Sequence, residues 1–389
     1  MATTRTTKVG YGSKLGDSIK GIFGGLIAII IAVVLLWWNE GNSVRELKKV
    51  AEGRKNTVEI ESNKVLSDYE GSLVHMSGFA TTDETLTDPS FGIAENAIAL
   101  VRDVEMFQYK ENVKKEEKEN LGGSTTVTET FTYEEVWSSS LISSDNFAES
   151  WRKNPKQFSH KEDAWYANNV TLGAFTLSDG IINSMGGYEE LTVTTDKLAD
   201  TTGTVKLDNG KIYFGADPKY PQIGDERITY KVLYPQDISV IAQQNGNSFK
   251  PYKTKVGKTI QLVAKGKLSA DEMYVMEEQQ NAMIRWLLRL LGFGLMFGGF
   301  SALFRPLAVA GSVVPFIGKI VGFGTGIIAF VLAFTISFII IAIAWIVYRP
   351  LLGIALLAVG VGAFFLAKKY IFDKKQNEQA LDEADNKPA

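Results

Sequence analysis

The chain has no cysteine. Disulfide bridges, thiolate metal sites and cysteine nucleophiles are therefore excluded, and any folded body must be held by its own core. Histidine is scarce: His75 and His160 stand alone, with no His or Glu at metal-ligand spacing, so ordinary core or surface roles are expected and no metal. No HExxH, nucleophile-elbow or Ser-x-x-Lys pattern occurs. Gly257-Lys258-Thr259 looks like the end of a phosphate-binding loop, but Tyr252 occupies the position that requires glycine. No catalytic, cofactor-binding or metal-binding residue is expected.

Charge is also missing where it matters most. Residues 21–38, GIFGGLIAIIIAVVLLWW, are 18 residues without one, about 27 Å of helix against a hydrocarbon core of about 30 Å. A cleaved signal has a shorter apolar region and ends in small residues. This run ends in Trp37-Trp38 and then Asn39-Glu40-Gly41, so it reads as an uncleaved signal anchor. Residues 286–304 carry only Arg289, and residues 320–347 and 351–367 carry no charge. The last two are separated by Tyr348-Arg349-Pro350 and predict a tight helical hairpin.

Four crossings put both termini on one side. Arg5, Lys8, Lys14 and Lys20 precede the first run, Arg305 and Lys319 lie between the second and third, and Lys368, Lys369, Lys374 and Lys375 follow the fourth. Basic flanks face the cytoplasm. Arg45, Lys48, Lys49, Arg54 and Lys55 after the first run weigh against this, but long translocated domains override local charge. In this topology Trp37, Trp38, Trp286, Trp345 and Tyr348 all fall at the outer interface as anchors. The expected organisation is a cytoplasmic tail (1–20), a first helix (21–38) and an extracytoplasmic or luminal body with juxtamembrane helices (39–285). A second helix (286–304), a cytoplasmic loop (305–319), a third helix (320–347), a fourth (351–367) and a cytoplasmic tail (368–389) follow.

The body reads as β-rich. Residues 39–55 predict a short helix along the membrane surface. From Val58 onward alternation takes over: SLVHMSGFAT, then AIALVRDVEMFQYKENV and TTVTETFTYEEVWSSS as a long hairpin with a charged tip, then TVKLDNGKIYF turning at Asn209-Gly210. ERITYKVL, ISVIAQQ and TIQLVAKGKL add strands, with a turn at Asn245-Gly246-Asn247, while residues 145–170 lack alternation and predict helix plus loop. Ser269 and Glu272 form a capping box that opens one helix running into the second crossing. Acids outnumber bases over residues 39–304, so a nucleic-acid partner is not expected. Asn169-Val170-Thr171 is a glycosylation tripeptide that matters only in a eukaryotic lumen.

Arg289 is costly at mid-bilayer. It lies one turn from Arg285, so both are candidate lipid headgroup contacts, with snorkelling as the ordinary alternative. Gly294 and Gly298 form GxxxG, with Gly292 and Gly299 beside them; Gly322, Gly326 and Gly360 punctuate the third and fourth runs. Small residues let helices approach closely, either within one chain or between copies. The runs contain no Asp, Glu or His, which argues against an ion or proton relay.

The chain resembles the transmembrane protein 43 (LUMA) family over roughly residues 20–370. The resemblance rests on NEG after the first run, GSLVHMSG, LTDPSFGI, LVRDVEMFQYKE, VWSSSLISSDNFAESWRKNP, DPKYPQIGDERITY, VIAQQNGNSFKPYKTKVG and YRPLL, in that order. It implies four spans, a large luminal or extracytoplasmic domain and no established enzymatic activity. Eukaryotic members are placed in the endoplasmic reticulum and inner nuclear membrane, where they self-associate and organise complexes that include lamin and emerin. Those partners do not carry over, because nothing in this sequence identifies a nucleus; a prokaryotic member would sit in the cytoplasmic membrane. The expected protein is an α+β membrane protein with one N-terminal and three C-terminal transmembrane helices and a β-rich extracytoplasmic domain between the first and second. It is expected to act as a scaffold that contacts lipid, itself and other membrane proteins. A lipid- or envelope-directed enzyme or binding protein, or a channel-associated subunit, is the alternative.

Overall fold

The computed structural model of the chain describes residues 3–198 and 205–351. The described residues divide into two compact units: those up to Tyr11 with those of Leu47–Gln280, and those of Gly12–Glu46 with those from Asn281 to Leu351. The α-helices are α1 (Tyr11–Asn56), α2 (Asp179–Ile182), α3 (Ala270–Gly311) and α4 (Pro315–Tyr348).

Among the described residues α1, α3 and α4 are long and apolar enough to cross a membrane. The run at 351–367, expected as a fourth crossing, lies outside the described residues apart from Leu351. Helix α1 is continuous for 46 residues, where the sequence suggested a break and a separate surface helix. Residues 39–56 contain no proline, and good helix formers surround Gly41 and Gly53, so nothing stops the helix before the β-branched pair Thr57-Val58. Helix α3 opens on the expected capping box: the Glu272 backbone N–H donates to Ser269 Oγ at 3.3 Å and the Ser269 N–H to Glu272 Oε2 at 2.8 Å. It continues through Pro306 to Gly311, so the loop expected at 305–319 shrinks to residues 312–314. A proline there forfeits one backbone hydrogen bond, which the surrounding turns outweigh. Pro315 opens α4 in its first turn, where its missing N–H costs nothing.

Among the described residues the first unit contains two large β-sheets and two small two-stranded ones, Thr85–Asp88 with Ile93–Asn96 and Tyr252–Lys253 with Thr259–Ile260. The main strands of the large sheets are β1 (Thr3–Val9), β2 (Leu73–Thr81), β3 (Ala99–Glu119), β4 (Thr125–Ser138), β5 (Asp163–Tyr166), β6 (Lys206–Asp208), β7 (Lys211–Phe214), β8 (Glu226–Leu233), β9 (Gln236–Asn245), β10 (Ser248–Lys250) and β11 (Leu262–Lys265). One sheet runs β1-β4-β3-β8-β7-β6, with β5 also on β3. The other is built on the antiparallel pair β2–β9, with β10 and β11 on β9. Buried apolar residues of both sheets, including Val74, Met76, Leu100, Val104, Ile228, Val232, Ile238 and Val240, form one core. The turns were legible: Asn209 and Gly210 have φ of 49° and 78°, and Gly246 has φ of 61°. Residues 145–170 contain no α-helix. Asn154 accepts from the Tyr109 N–H at 2.8 Å and donates to the Tyr109 and Ile142 carbonyls. Side-chain bonds of this kind satisfy backbone that a helix would otherwise satisfy. Trp165 of β5 packs on the core.

Strands β3 and β4 pair from Met106↔Ser138 to Glu119↔Thr125, and the far half of β3 is exposed and charged. A two-stranded ribbon is marginal alone. Here β1 adds a third strand, from Thr3↔Phe131 to Val9↔Thr125. That strand was not anticipated: Thr3–Val9 is Thr-rich but carries Arg5 and Lys8, and it read as a basic tail.

Candidate functional site

In the second unit the residues after the paired tryptophans tie three helices together. Glu40 of α1 is 0% exposed. Its Oε1 accepts from Arg289 Nε of α3 at 2.7 Å, and its Oε2 accepts from Trp345 Nε1 of α4 at 2.8 Å. One turn away, Ser43 Oγ accepts from Arg285 at 3.0 Å and from Arg349 at 3.3 Å. Asn39 Nδ2 donates to the Arg285 carbonyl at 3.1 Å. The Arg289 guanidinium lies 4.7 Å from the Trp286 ring and 5.8 Å from the Trp345 ring. Gly41 is needed for the closeness of α4, since a Cβ there would fall 2.7 Å from the Tyr348 ring.

Both carboxylate oxygens of Glu40 are thus engaged by donors from different helices, and the group is sealed from solvent. Held in this way, it can clamp the three helices. The sequence marked Arg289 as a charge needing an explanation, and its partner is Glu40. The usable signal was an acid immediately beyond an interfacial Trp pair. Trp345 and Tyr348 face inward, with Tyr348 5.7 Å from the Trp37 ring. Trp38 and Trp286 are exposed.

The glycines divide. A Cβ at Gly299 would sit 2.6 Å from Ile29 and 2.8 Å from the Gly25 carbonyl, and one at Gly292 would sit 2.6 Å from Leu36. These two seat α3 on α1. Among the described residues a Cβ at Gly294, Gly298 or Gly326 would meet nothing within 4 Å, and one at Gly322 would meet Ala308 at 3.9 Å. Gly360 lies outside the described residues. Gly294 and Gly298 border an apolar groove of about 500 Å³ with Ala28, Leu287 and Leu291.

The β-rich unit holds a second buried cluster. Asp88 is fully buried; its Oδ2 accepts from Arg102 and from the Tyr230 hydroxyl, each at 2.5 Å, and its Oδ1 from the Ser90 N–H at 2.8 Å. Arg102 Nε also donates to the Lys161 carbonyl at 2.8 Å, and its guanidinium stacks over Phe91 and Trp165. Burial, then the Asp88 carboxylate, push the Tyr230 phenol far above its usual range, so it serves as a donor. Nearby, Glu226 accepts from the Ser159 N–H at 2.6 Å, the His160 N–H at 3.1 Å and His160 Nδ1 at 2.7 Å. Among the described residues no group of three or more His, Asp or Glu could hold a metal.

Burial alone would raise the Glu226 carboxyl, but its three donors outweigh burial and hold it below its usual 4.5. A carboxylate depressed in the folded state contributes stability that is complete above the unfolded value and lost as pH falls through the folded one. Acid unfolding of the β-rich unit, followed by circular dichroism, is therefore expected to be less steep below about pH 4.5 in Glu226→Gln than in the parent. Identical pH profiles would refute this.

The sequence profile of the family described as Transmembrane protein 43 matches residues 106–350. The human transmembrane protein 43 is 30% identical over 382 residues, covering 95% of both chains. The orangutan (Pongo abelii) protein is 31% identical over 379 residues, 94% of both. The Drosophila melanogaster homolog is 28% identical over 361 residues, 90% of this chain and 94% of its own. No solved structure matches.

Proposed function

The chain belongs to the transmembrane protein 43 family, and from that premise we propose that it is a membrane scaffold that self-associates through α3 and displays its β-rich unit to other membrane proteins. The observation that carries this reading is the open Gly294–Gly298 face. In lipid, close backbone approach is a main force bringing helices together. Gly292 and Gly299 already spend theirs on α1, whereas Gly294 and Gly298 offer theirs to another helix beside an apolar groove. The role needs no catalytic step, and Glu40, Asp88 and Glu226 have their acceptors engaged internally.

The test separates the two glycine sets. Gly294→Ile with Gly298→Ile is expected to leave thermal stability within about 1 kcal/mol, because each new side chain enters open space, and to convert oligomer to monomer in detergent by light scattering. Gly299→Ile is expected to destabilise the fold by about 1–3 kcal/mol through overpacking against Ile29 and Gly25. A parent protein that is monomeric across concentrations and lipids contradicts the proposal.

The reading places a fourth crossing at 351–367 and the β-rich unit on the extracytoplasmic or luminal side. Basic flanks assign the N-terminal tail to the cytoplasm, yet the β1–β4 pairing requires residues 3–9 and the β3–β4 ribbon to share a compartment. The ribbon's Lys114, Lys115, Glu116 and Glu117 do not suit lipid, so this pairing and a membrane crossing by α1, which joins residues 3–9 to the β-rich unit, exclude each other. Labelling of Thr6→Cys in sealed vesicles by an impermeant maleimide decides between them.

A further inference from the structure

A second groove of the helical unit carries a polar feature that helix packing does not use. It measures about 290 Å³ and lies between α3 and α4, lined by Trp286, Arg289, Phe293, Phe334, Ser337 and Phe338 among others. Ser337 is only 3% exposed, and among the described residues its hydroxyl has no hydrogen-bond partner. A serine in an apolar helix ordinarily returns its hydroxyl to a carbonyl one turn back, as Thr325 does to Gly322 at 3.0 Å. A buried hydroxyl left unmet is costly, and this one lines a cavity.

Charge points the same way. Among the described residues Arg285, Arg289 and Arg349 converge on Glu40 and Ser43, three guanidinium groups bonded to one carboxylate and one hydroxyl. Arg289 commits its Nε to Glu40 while lining the groove. Trp286 at the same wall is 63% exposed, as suits a residue at headgroup level. The site thus combines surplus positive charge, phenyl walls and one unmet hydroxyl. At about 290 Å³ it is at or just below the small end of pockets that enclose a whole small ligand, about 300–1,000 Å³, which fits the upper part of one lipid chain.

We propose that this groove binds an anionic glycerophospholipid. The phosphate sits beside Arg289, the first part of one acyl chain lies along Phe293, Phe334 and Phe338, and an ester carbonyl accepts from the Ser337 hydroxyl. The proposal rests on α3 and α4 spanning a membrane and is independent of self-association.

The experiment uses the full chain in vesicles doped with a phospholipid carrying a diazirine high on one acyl chain, with either a phosphatidylserine or a phosphatidylcholine headgroup, and maps labelled peptides by mass spectrometry. The serine-headgroup probe is expected to label residues 330–341 about fivefold more than the choline probe, one surplus cation's preference for an anionic lipid. Ser337→Leu, which fills the groove, is expected to remove that preference. On the parent protein, excess unlabelled phosphatidylserine competes and phosphatidylcholine does not, a readout that needs no variant to fold. Equal labelling by both probes along every lipid-facing helix, annular lipid only, overturns the proposal. So does absence of label from 330–341 while other faces are labelled, which means that protein, either residues 352–367 or a second copy, fills the groove.

Discussion

Glu40→Ala is expected to destabilise the helical unit by about 3–5 kcal/mol, the cost of removing one partner from a buried ion pair. The loss has two parts: Arg289 keeps a charge with no counter-ion, and Trp345 Nε1 loses its acceptor. Removing both charges tells a different story. Glu40→Leu combined with Arg289→Met is expected to recover most of the loss, because apolar replacements of similar volume restore packing without desolvated charge. Thermal unfolding in detergent, read by tryptophan fluorescence, measures both, since Trp286 and Trp345 flank the pair. A loss under about 1 kcal/mol for Glu40→Ala, the range of exposed pairs, would show that Glu40 is solvated and the clamp is not formed.

The β-rich unit has an equivalent weak point. Asp88→Ala is expected to cost about 3–5 kcal/mol by stranding the Arg102 guanidinium. Tyr230→Phe is expected to cost only about 1.5–3 kcal/mol, the worth of one hydrogen bond to a charged group. The ordering matters as much as the sizes. If Tyr230→Phe proves the worse of the two in urea unfolding, the Asp88–Arg102 pair is not the centre of the cluster.

The parts of the fold that were legible are those governed by local rules. Strand alternation, the φ > 0 turns at Asn209-Gly210 and Gly246, the Ser269–Glu272 cap and the apolar helical runs at 21–38, 286–304 and 320–347 each follow from neighbours in sequence. What was not legible depends on distance. Asp88 and Tyr230 meet across 142 positions and Glu40 and Trp345 across 305; all four lie in or beside the stretches that carry the family resemblance, yet no spacing rule pairs them. Strand β1 was missed because a basic, threonine-rich tail pairs only when an exposed edge such as β4 is offered. The helix expected in 145–170 was wrong because Asn154 and Trp165 bind the strands beside them. The glycine pattern did not reveal that, among its own described residues, only Gly292 and Gly299 meet a neighbouring helix closely, since Gly294 and Gly299 differ only in which way each faces.

The absence of cysteine gives the decisive test a clean background. Gly298→Cys in the full-length protein, oxidised in native membranes, is expected to yield a disulfide-linked dimer on non-reducing gels that collapses on reduction. Ile327→Cys, exposed on α4, is expected to stay monomeric under the same treatment. No dimer from Gly298→Cys, or equal dimer from both, would contradict self-association through α3.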